Sequence, residues 1–365
     1  MFEPNDQYLS YYKFNDAISY SKYDMIHNHK ALPDQTQYYF YDDSFSKLDW
    51  KEPKESIDDL YKLRAEQLRD KYSKIALEVR NIDGINTLVS FLKNGIRVDE
   101  VFFYYTRGDL NSQHNNEIRM NIVPKIQELQ NHFNFYFRPI ECDRYYIEKM
   151  WNDYIKNNLM YIENGPWTGD TVIHKDLLDL VPEYRVENLG VIYSNGKPFV
   201  FPEKNVFRFC DILPNIYFIK DLCEYNNEDF YWSPDTKIVI KQAYLVNQWA
   251  NKHKNYLQMI PKLEYNNHGY VPLKLINRAI YPSIKENTFK YYSSPIHVKY
   301  DIKAFCMTTH TSSPQAWLYR ENYSIKDTLI NTISIVEKNI DSSWLENNTI
   351  YEGLKPVWSR DYNLE

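Results

Sequence analysis

Between residues 56 and 137, short apolar runs alternate with amphipathic segments, and that alternation does most to limit what the chain can fold into. Ser56 precedes Ile57-Asp58-Asp59, and an acidic residue three positions after a serine is close to a capping box. Leu60, Leu63, Leu68 and Tyr72 then keep approximate helical spacing to about Lys74, with Glu66 and Asp70 interleaving Arg64 and Arg69 on the solvent side. Residues 75–79 read as a strand and residues 80–84 as a turn. Ile85, Leu88, Val89 and Leu92 have the spacing of a helix that ends at Asn94-Gly95, a good C-cap. Residues 98–105 read as a second strand. Ile118, Ile122, Ile126, Leu129 and Phe133 mark a further helix, with Pro124 a blemish near its first turns, and residues 135–137 a third strand. Strand, helix, strand, helix, strand at these lengths is a βαβαβ unit with parallel strands and right-handed crossovers. Ligands of such sheets sit beyond the carboxyl ends of the strands, which directs attention to residues 80–84.

Elsewhere the pattern is looser. Residues 1–50 are aromatic and polar and read as an extended arm, with Tyr38-Tyr39-Phe40-Tyr41 a strand. Residues 144–159 read as helical. Val191-Ile192-Tyr193 and Phe199-Val200-Phe201 flank Ser194-Asn195-Gly196-Lys197, the signal of a β-hairpin. Ser233-Pro234-Asp235 opens a helix carrying Ile238, Val239, Ala243, Leu245, Val246 and Trp249; its Lys237 and Lys241, with Lys252 and Lys254, form a solvated face. The division that follows is an arm over residues 1–55, an α/β core over 56–255 and an α+β extension over 256–365.

Composition narrows the function classes. The chain has 365 residues, 43% hydrophobic and 25% charged, enough for a sizeable core. Net charge is −6, so no global basic signature indicates nucleic acid. Glycine occurs nine times, where ordinary usage would give roughly 25, which makes a glycine-rich phosphate loop improbable. Cys142, Cys210, Cys223 and Cys306 have no metal-site spacing and read as free thiols of a reducing compartment. The first residues have neither the basic nor the apolar region of a signal peptide. No apolar run approaches a membrane-spanning length, so a cytoplasmic location is expected. His27 and His29 have no third metal ligand nearby, and Cys306 with His310 has no orienting group for a nucleophilic dyad.

One family is similar to this chain in scattered segments over about 60–290. Leu63-Arg64-Ala65-Glu66-Gln67-Leu68-Arg69-Asp70-Lys71-Tyr72, the 75–79 strand, Asp83, and Phe91-Leu92-Lys93-Asn94-Gly95-Ile96 before Val98-Asp99-Glu100-Val101 resemble the PP-loop ATP pyrophosphatase superfamily. The likeness is to its phage-type members, described as phosphoadenosine-phosphosulfate (PAPS) reductase-like or adenine nucleotide alpha hydrolase-like. Asn115-Asn116-Glu117, Phe230-Tyr231-Trp232-Ser233-Pro234-Asp235, Ile240-Lys241-Gln242-Ala243 and Ile280-Tyr281-Pro282 also agree with that group. The resemblance implies an α/β fold, a PP-loop-type parallel sheet flanked by helices.

The working motif of that superfamily is Ser-Gly-Gly-x-Asp-Ser, whose glycines let backbone N–H groups approach a pyrophosphate. The matching positions are Val79, Arg80, Asn81, Ile82, Asp83 and Gly84, and only the aspartate is kept. A second family element, Gly-x-x-Lys-Pro-Arg before a hairpin, would supply cations; the matching stretch is 185–190, without the Lys-Pro-Arg. The candidate nucleotide-binding residues are Arg80, Asn81, Asp83, Gly84, Asn116 and Glu117. Three readings remain open: a dead site with Arg80 filling the phosphate pocket or pairing with Asp83, a rewired site in which the Arg80 guanidinium clamps phosphate, or a generic doubly wound fold. Asp83 also suits a helix first turn on electrostatic grounds alone. The expectation is a degenerate ATP pyrophosphatase-like pseudoenzyme of a bacteriophage, binding a protein partner or virion component in the host cytoplasm. ATP and magnesium enter only if the loop is rewired, and adenylation or a virion structural role are the alternatives. Cys306 has no adjacent glycine, which disfavours sulfonucleotide reduction.

Overall fold

The computed structural model describes residues 10–19, 25, 29–31, 35–40, 51–106, 122–142, 177–194, 197–209, 225–232, 237–255, 271, 279–281 and 357–364. Its centre is a five-stranded, wholly parallel sheet. The strands are β4 (Lys74–Glu78), β5 (Glu100–Thr106), β6 (Tyr136–Cys142), β7 (Leu189–Tyr193) and β10 (Asn227–Asp229), in the order β10-β7-β4-β5-β6. The protein is thus a mixed α/β fold with a parallel sheet flanked by helices. From β4 the chain builds outward through β5 to β6, then crosses to the other side of β4 for β7 and β10. The order reverses between β4 and β7, so the crevice past their carboxyl ends is the topological switch point.

Helix α1 (Ile57–Lys71) precedes β4, and α2 (Ile82–Leu92) links β4 to β5. Ser56 caps α1 by accepting a hydrogen bond from Asp59 N at 3.1 Å, as its spacing predicts. Two other expectations fail on α1. Leu63 is exposed, and Arg64 is buried, donating to the Asp229 carbonyl at 2.8 Å and pairing with Glu228 at 3.2 Å. The helix ends at Lys71, because Lys74 already begins β4. Helix α3 (Val123–Gln130) links β5 to β6 and has Pro124 in its first turn, where proline costs no hydrogen bond; Pro124 starts this helix rather than blemishing it.

Ile75, Leu77 and Val79 alternate with Ala76 along β4, so they share one face. That face joins Val101, Leu60, Leu68, Ile85, Leu88 and Val246 in one core cluster. The last of these belongs to α5 (Lys237–Lys252), which packs on α1. On the opposite face, Tyr184 of the 3-10 turn Pro182–Tyr184 meets Phe102 edge-on at 5.8 Å; that turn follows α4 (Leu177–Leu180).

The expected hairpin across 191–201 does not form. β7 lies between β4 and β10 in the parallel sheet, whereas β8 (Phe199–Phe201) pairs antiparallel with β9 (Val206–Arg208) in a separate sheet. All five residues of β7 are buried, the continuous apolar pattern of a strand covered on both faces. The third strand of that small sheet is β11 (Tyr362–Asn363). Another three-stranded antiparallel sheet, β2-β1-β3, joins β1 (Ser10–Phe14), β2 (Ala17–Ser19) and β3 (Gln37–Phe40). The arm expected to be extended is therefore a sheet where it is described. Residues 144–159, and the proline-led opening of α5 at 233–235, lie outside the described residues.

Candidate functional site

The turn from β4 into α2 stands at the switch point. α2 begins at Ile82, so Asp83 and Gly84 belong to its first turn rather than to a loop before it. Asn81 is the N-cap: its side chain accepts from Gly84 N at 3.0 Å, and its carbonyl accepts from Ile85 N at 3.1 Å. Its backbone is extended, with φ −145°, and no residue of 79–84 has a positive φ. An anion-cradling nest with a left-handed residue is therefore not built here. Gly84 answers a packing need: a Cβ there would stand 2.7 Å from Val79 Cα and 2.9 Å from Glu78 O, so it sets how closely α2 approaches the strand.

Arg80 does not pair with Asp83. Its Nε lies 2.9 Å from Glu78 Oε1, and both side chains are largely buried. The partner of Asp83 is Lys197, whose Nζ stands 2.7 Å from Asp83 Oδ1, both groups nearly enclosed. The Tyr281 hydroxyl donates to the same oxygen, and the Lys197 ammonium lies 5.3 Å from the Tyr281 ring centroid. Tyr231 donates to the Asp83 carbonyl at 2.7 Å and accepts from Asn86 Nδ2 at 3.2 Å. Beside them Ser194 Oγ donates to Thr87 Oγ1 at 2.9 Å. Burial, then the Asp83 charge, pushes the hydroxyls of both Tyr281 and Tyr231 well above the ordinary tyrosine range, so both stay protonated donors.

Each element contributes for a local reason. Ser194 and Lys197 follow the carboxyl end of β7, beside that of β4. Asp229 at the end of β10 accepts from Tyr231 N at 2.8 Å and Trp232 N at 3.0 Å, an Asx turn that carries Tyr231 over α2. The arrangement is a closed, mutually neutralised cluster, with each known charge committed to a neighbour. Of the residues expected to form the site, Arg80, Asn81, Asp83 and Gly84 come together, while Asn116 and Glu117 lie outside the described residues. Lys197, Tyr231 and Tyr281 went unassigned in sequence. For Lys197 a signal existed: it follows an apolar strand-like run, where sheet-end groups belong.

The stretch 185–190, matched above to a cation-supplying element, lies at the other end of the sheet, because Leu189 opens β7 opposite Lys74. Arg185 therefore cannot serve a group bound past the carboxyl ends. Instead it lines a cleft of about 650 Å³ at the amino ends of β7 and β10, bounded also by the end of α1. Among the described residues no group of three or more His, Cys, Asp or Glu could hold a metal ion. Cys306 and His310 fall outside them, as does His27. No described helix is long and apolar enough to cross a membrane. No family model matches the chain, and no curated protein matches it in sequence.

Proposed function

We propose that this is a PP-loop ATP pyrophosphatase-like protein of phage type whose phosphate position is closed by its own side chains. It would then act by binding a protein partner or a virion component rather than by adenylation. The observation that carries this reading is the Asp83 carboxylate, held by Lys197 and Tyr281 at the switch point. The superfamily's motif has an aspartate at this position too; what distinguishes this one is that Lys197 and Tyr281 of its own chain occupy its carboxylate. That cation is thereby spent, and Arg80 is turned onto Glu78. The absence of positive φ through 79–84 supports the same conclusion. The residues present do not fit a nucleotide at this turn.

Titration calorimetry of the whole chain with ATP and magnesium is expected to give no binding heat, and incubation to give no AMP and pyrophosphate above background. Micromolar ATP binding that disappears in Arg80→Ala would overturn the reading in favour of a rewired clamp. Hydrolysis abolished by Asp83→Ala would do so in favour of an active adenylating enzyme.

A further inference from the structure

We infer that Tyr11 and Tyr39 form an oxidative cross-linking site, at which a one-electron oxidant joins the two rings as an intrachain dityrosine. The arm sheet makes the pair. β1 and β3 run antiparallel, with Tyr11 directly opposite Tyr39 and Tyr12 opposite Tyr38. Side chains alternate along a strand, so one pair points inward and the other outward. Tyr12 and Tyr38 are buried in the core, whereas Tyr11 and Tyr39 keep part of their surface in water.

Directly opposite residues of an antiparallel pair are close neighbours on one face of the sheet. The Tyr11 and Tyr39 rings lie parallel there, with centroids 5.2 Å apart and planes 7° from one another. The Tyr39 hydroxyl donates to Gln37 Oε1, two residues back on the same face, which holds that ring in place. Other tyrosine pairs in ring contact among the described residues are arranged differently. Tyr12 and Tyr38 are tilted by 53°, Tyr61 meets Tyr231 edge-on at 76°, and Tyr231 and Tyr281 stand 6.1 Å apart at 34°. All of these tyrosines are buried, out of reach of a dissolved oxidant. Parallel overlap and access to water coincide at Tyr11 and Tyr39.

The chemistry needs two equivalents of a one-electron oxidant and nothing else. Each ring gives one electron to the oxidant and its phenolic proton to water. The two phenoxyl radicals then form one bond between ring carbons ortho to the oxygens. The two ortho C–H bonds break as the rings regain aromaticity, and those hydrogens return to the oxygens. Two tyrosines thus lose two electrons and two protons in all. The product ties β1 to β3 covalently and, like a disulfide, restricts the unfolded chain, so the oxidised protein melts at a higher temperature.

The test is oxidation of the whole chain by photogenerated tris-bipyridine ruthenium(III), with persulfate as the terminal electron acceptor. The chain is expected to lose two hydrogen atoms in intact mass while remaining a monomer on a denaturing gel, with a yield independent of protein concentration. Fragmentation of its peptides should place the new link between Tyr11 and Tyr39. Tyr11→Phe and Tyr39→Phe each keep the stacked ring and remove the phenol; each should lose the link, with thermal unfolding before oxidation unchanged. The inference is overturned if no linked peptide joins Tyr11 to Tyr39, if the link falls on Tyr12 and Tyr38 instead, or if it forms as readily in chain unfolded in urea. The pair shares no residue with the closed switch point, so ATP binding lost in Arg80→Ala would overturn that reading and leave this one standing.

Discussion

Lys197 and Asp83 form an ion pair with almost no access to water, and such pairs are asymmetric in their energetics. Removing one partner strands a buried charge and costs about 3–5 kcal/mol, whereas replacing both can be close to neutral. Lys197→Met is therefore expected to destabilise the protein by that amount. Adding Asp83→Asn should return a large part of it, a coupling that urea unfolding of the two single variants and the double variant would measure. Additive losses would mean that the pair does not act as a unit. Tyr281 sets a second expectation. Burial raises its hydroxyl above the ordinary value, so the stability tied to its neutral form is whole below about pH 10 and is lost as pH rises beyond it. Tyr281→Phe should lower stability at neutral pH through the lost hydrogen bond to Asp83, yet flatten the alkaline decline seen in thermal melts from pH 9 upward.

Of this cluster, Asp83 and its neighbours were legible in the sequence because strand ends in a βαβ unit announce where a ligand or its substitute must sit. Of the places open to Arg80 in the sequence, pairing with Asp83 is not the one it takes, because its Nε meets Glu78. A charged side chain in a turn can reach several carboxylates, and only the backbone course decides that Glu78 receives it. Tyr281 stands 198 residues from Asp83, and no local pattern encodes such a meeting.

The elements of the parallel sheet were largely readable, since their periodicities follow from burial. α1 shows where periodicity stops short: Leu63 fitted the apolar spacing but faces water, while Arg64 went inward because Glu228 and the Asp229 carbonyl wait there. The 191–201 segment shows a competing signal, where an Asn-Gly pair suggested a hairpin and a continuous apolar run indicated a buried parallel strand. Asp99 joins three elements, accepting from Arg69 at 2.8 Å on α1 and from Ile75 N at 2.9 Å on β4, just ahead of β5. Burial works to raise its pKa, but the Arg69 and Ile75 hydrogen bonds and the Arg97 charge hold it below the usual carboxylate value. Its contribution is then present above about pH 4 and lost as pH falls through the lowered folded value. Asp99→Asn should cost about 1.5–3 kcal/mol at pH 7 and progressively less toward pH 2, read from denaturant midpoints across that range.

At the scale of the whole molecule, residues 357–364 hold together parts that lie far apart in sequence. Trp358 packs edge-on against Phe199 at 5.1 Å and Phe201 at 5.7 Å, and its carbonyl accepts from Tyr38 N at 2.9 Å. Tyr362 stacks on Phe207 at 5.2 Å, and Ser359 N donates to the Phe209 carbonyl at 2.9 Å. One short segment thus serves the β1–β3 sheet and the β8–β9 sheet together. Trp358→Ala should raise hydrogen exchange in both at once, around Tyr38 and at residues 206–209, while β4, β5 and β7 keep their protection; exchange mass spectrometry resolves this. A change confined to one sheet would show that the segment does not couple them.

That segment also dictates an order of events during synthesis. β9 leaves the ribosome about 150 residues before Tyr362, a delay of roughly 8–30 s at ordinary elongation rates. Throughout that interval the edge of β9 that later pairs with β11, and the sides of Phe207 and Phe209 that Tyr362 covers, stay open. A nascent chain of this protein therefore carries an open strand edge for longer than it takes the parallel sheet's local contacts to form. Chaperones that bind aromatic strand edges would find it there, and a stall in the few dozen codons before Tyr362 would prolong that exposure.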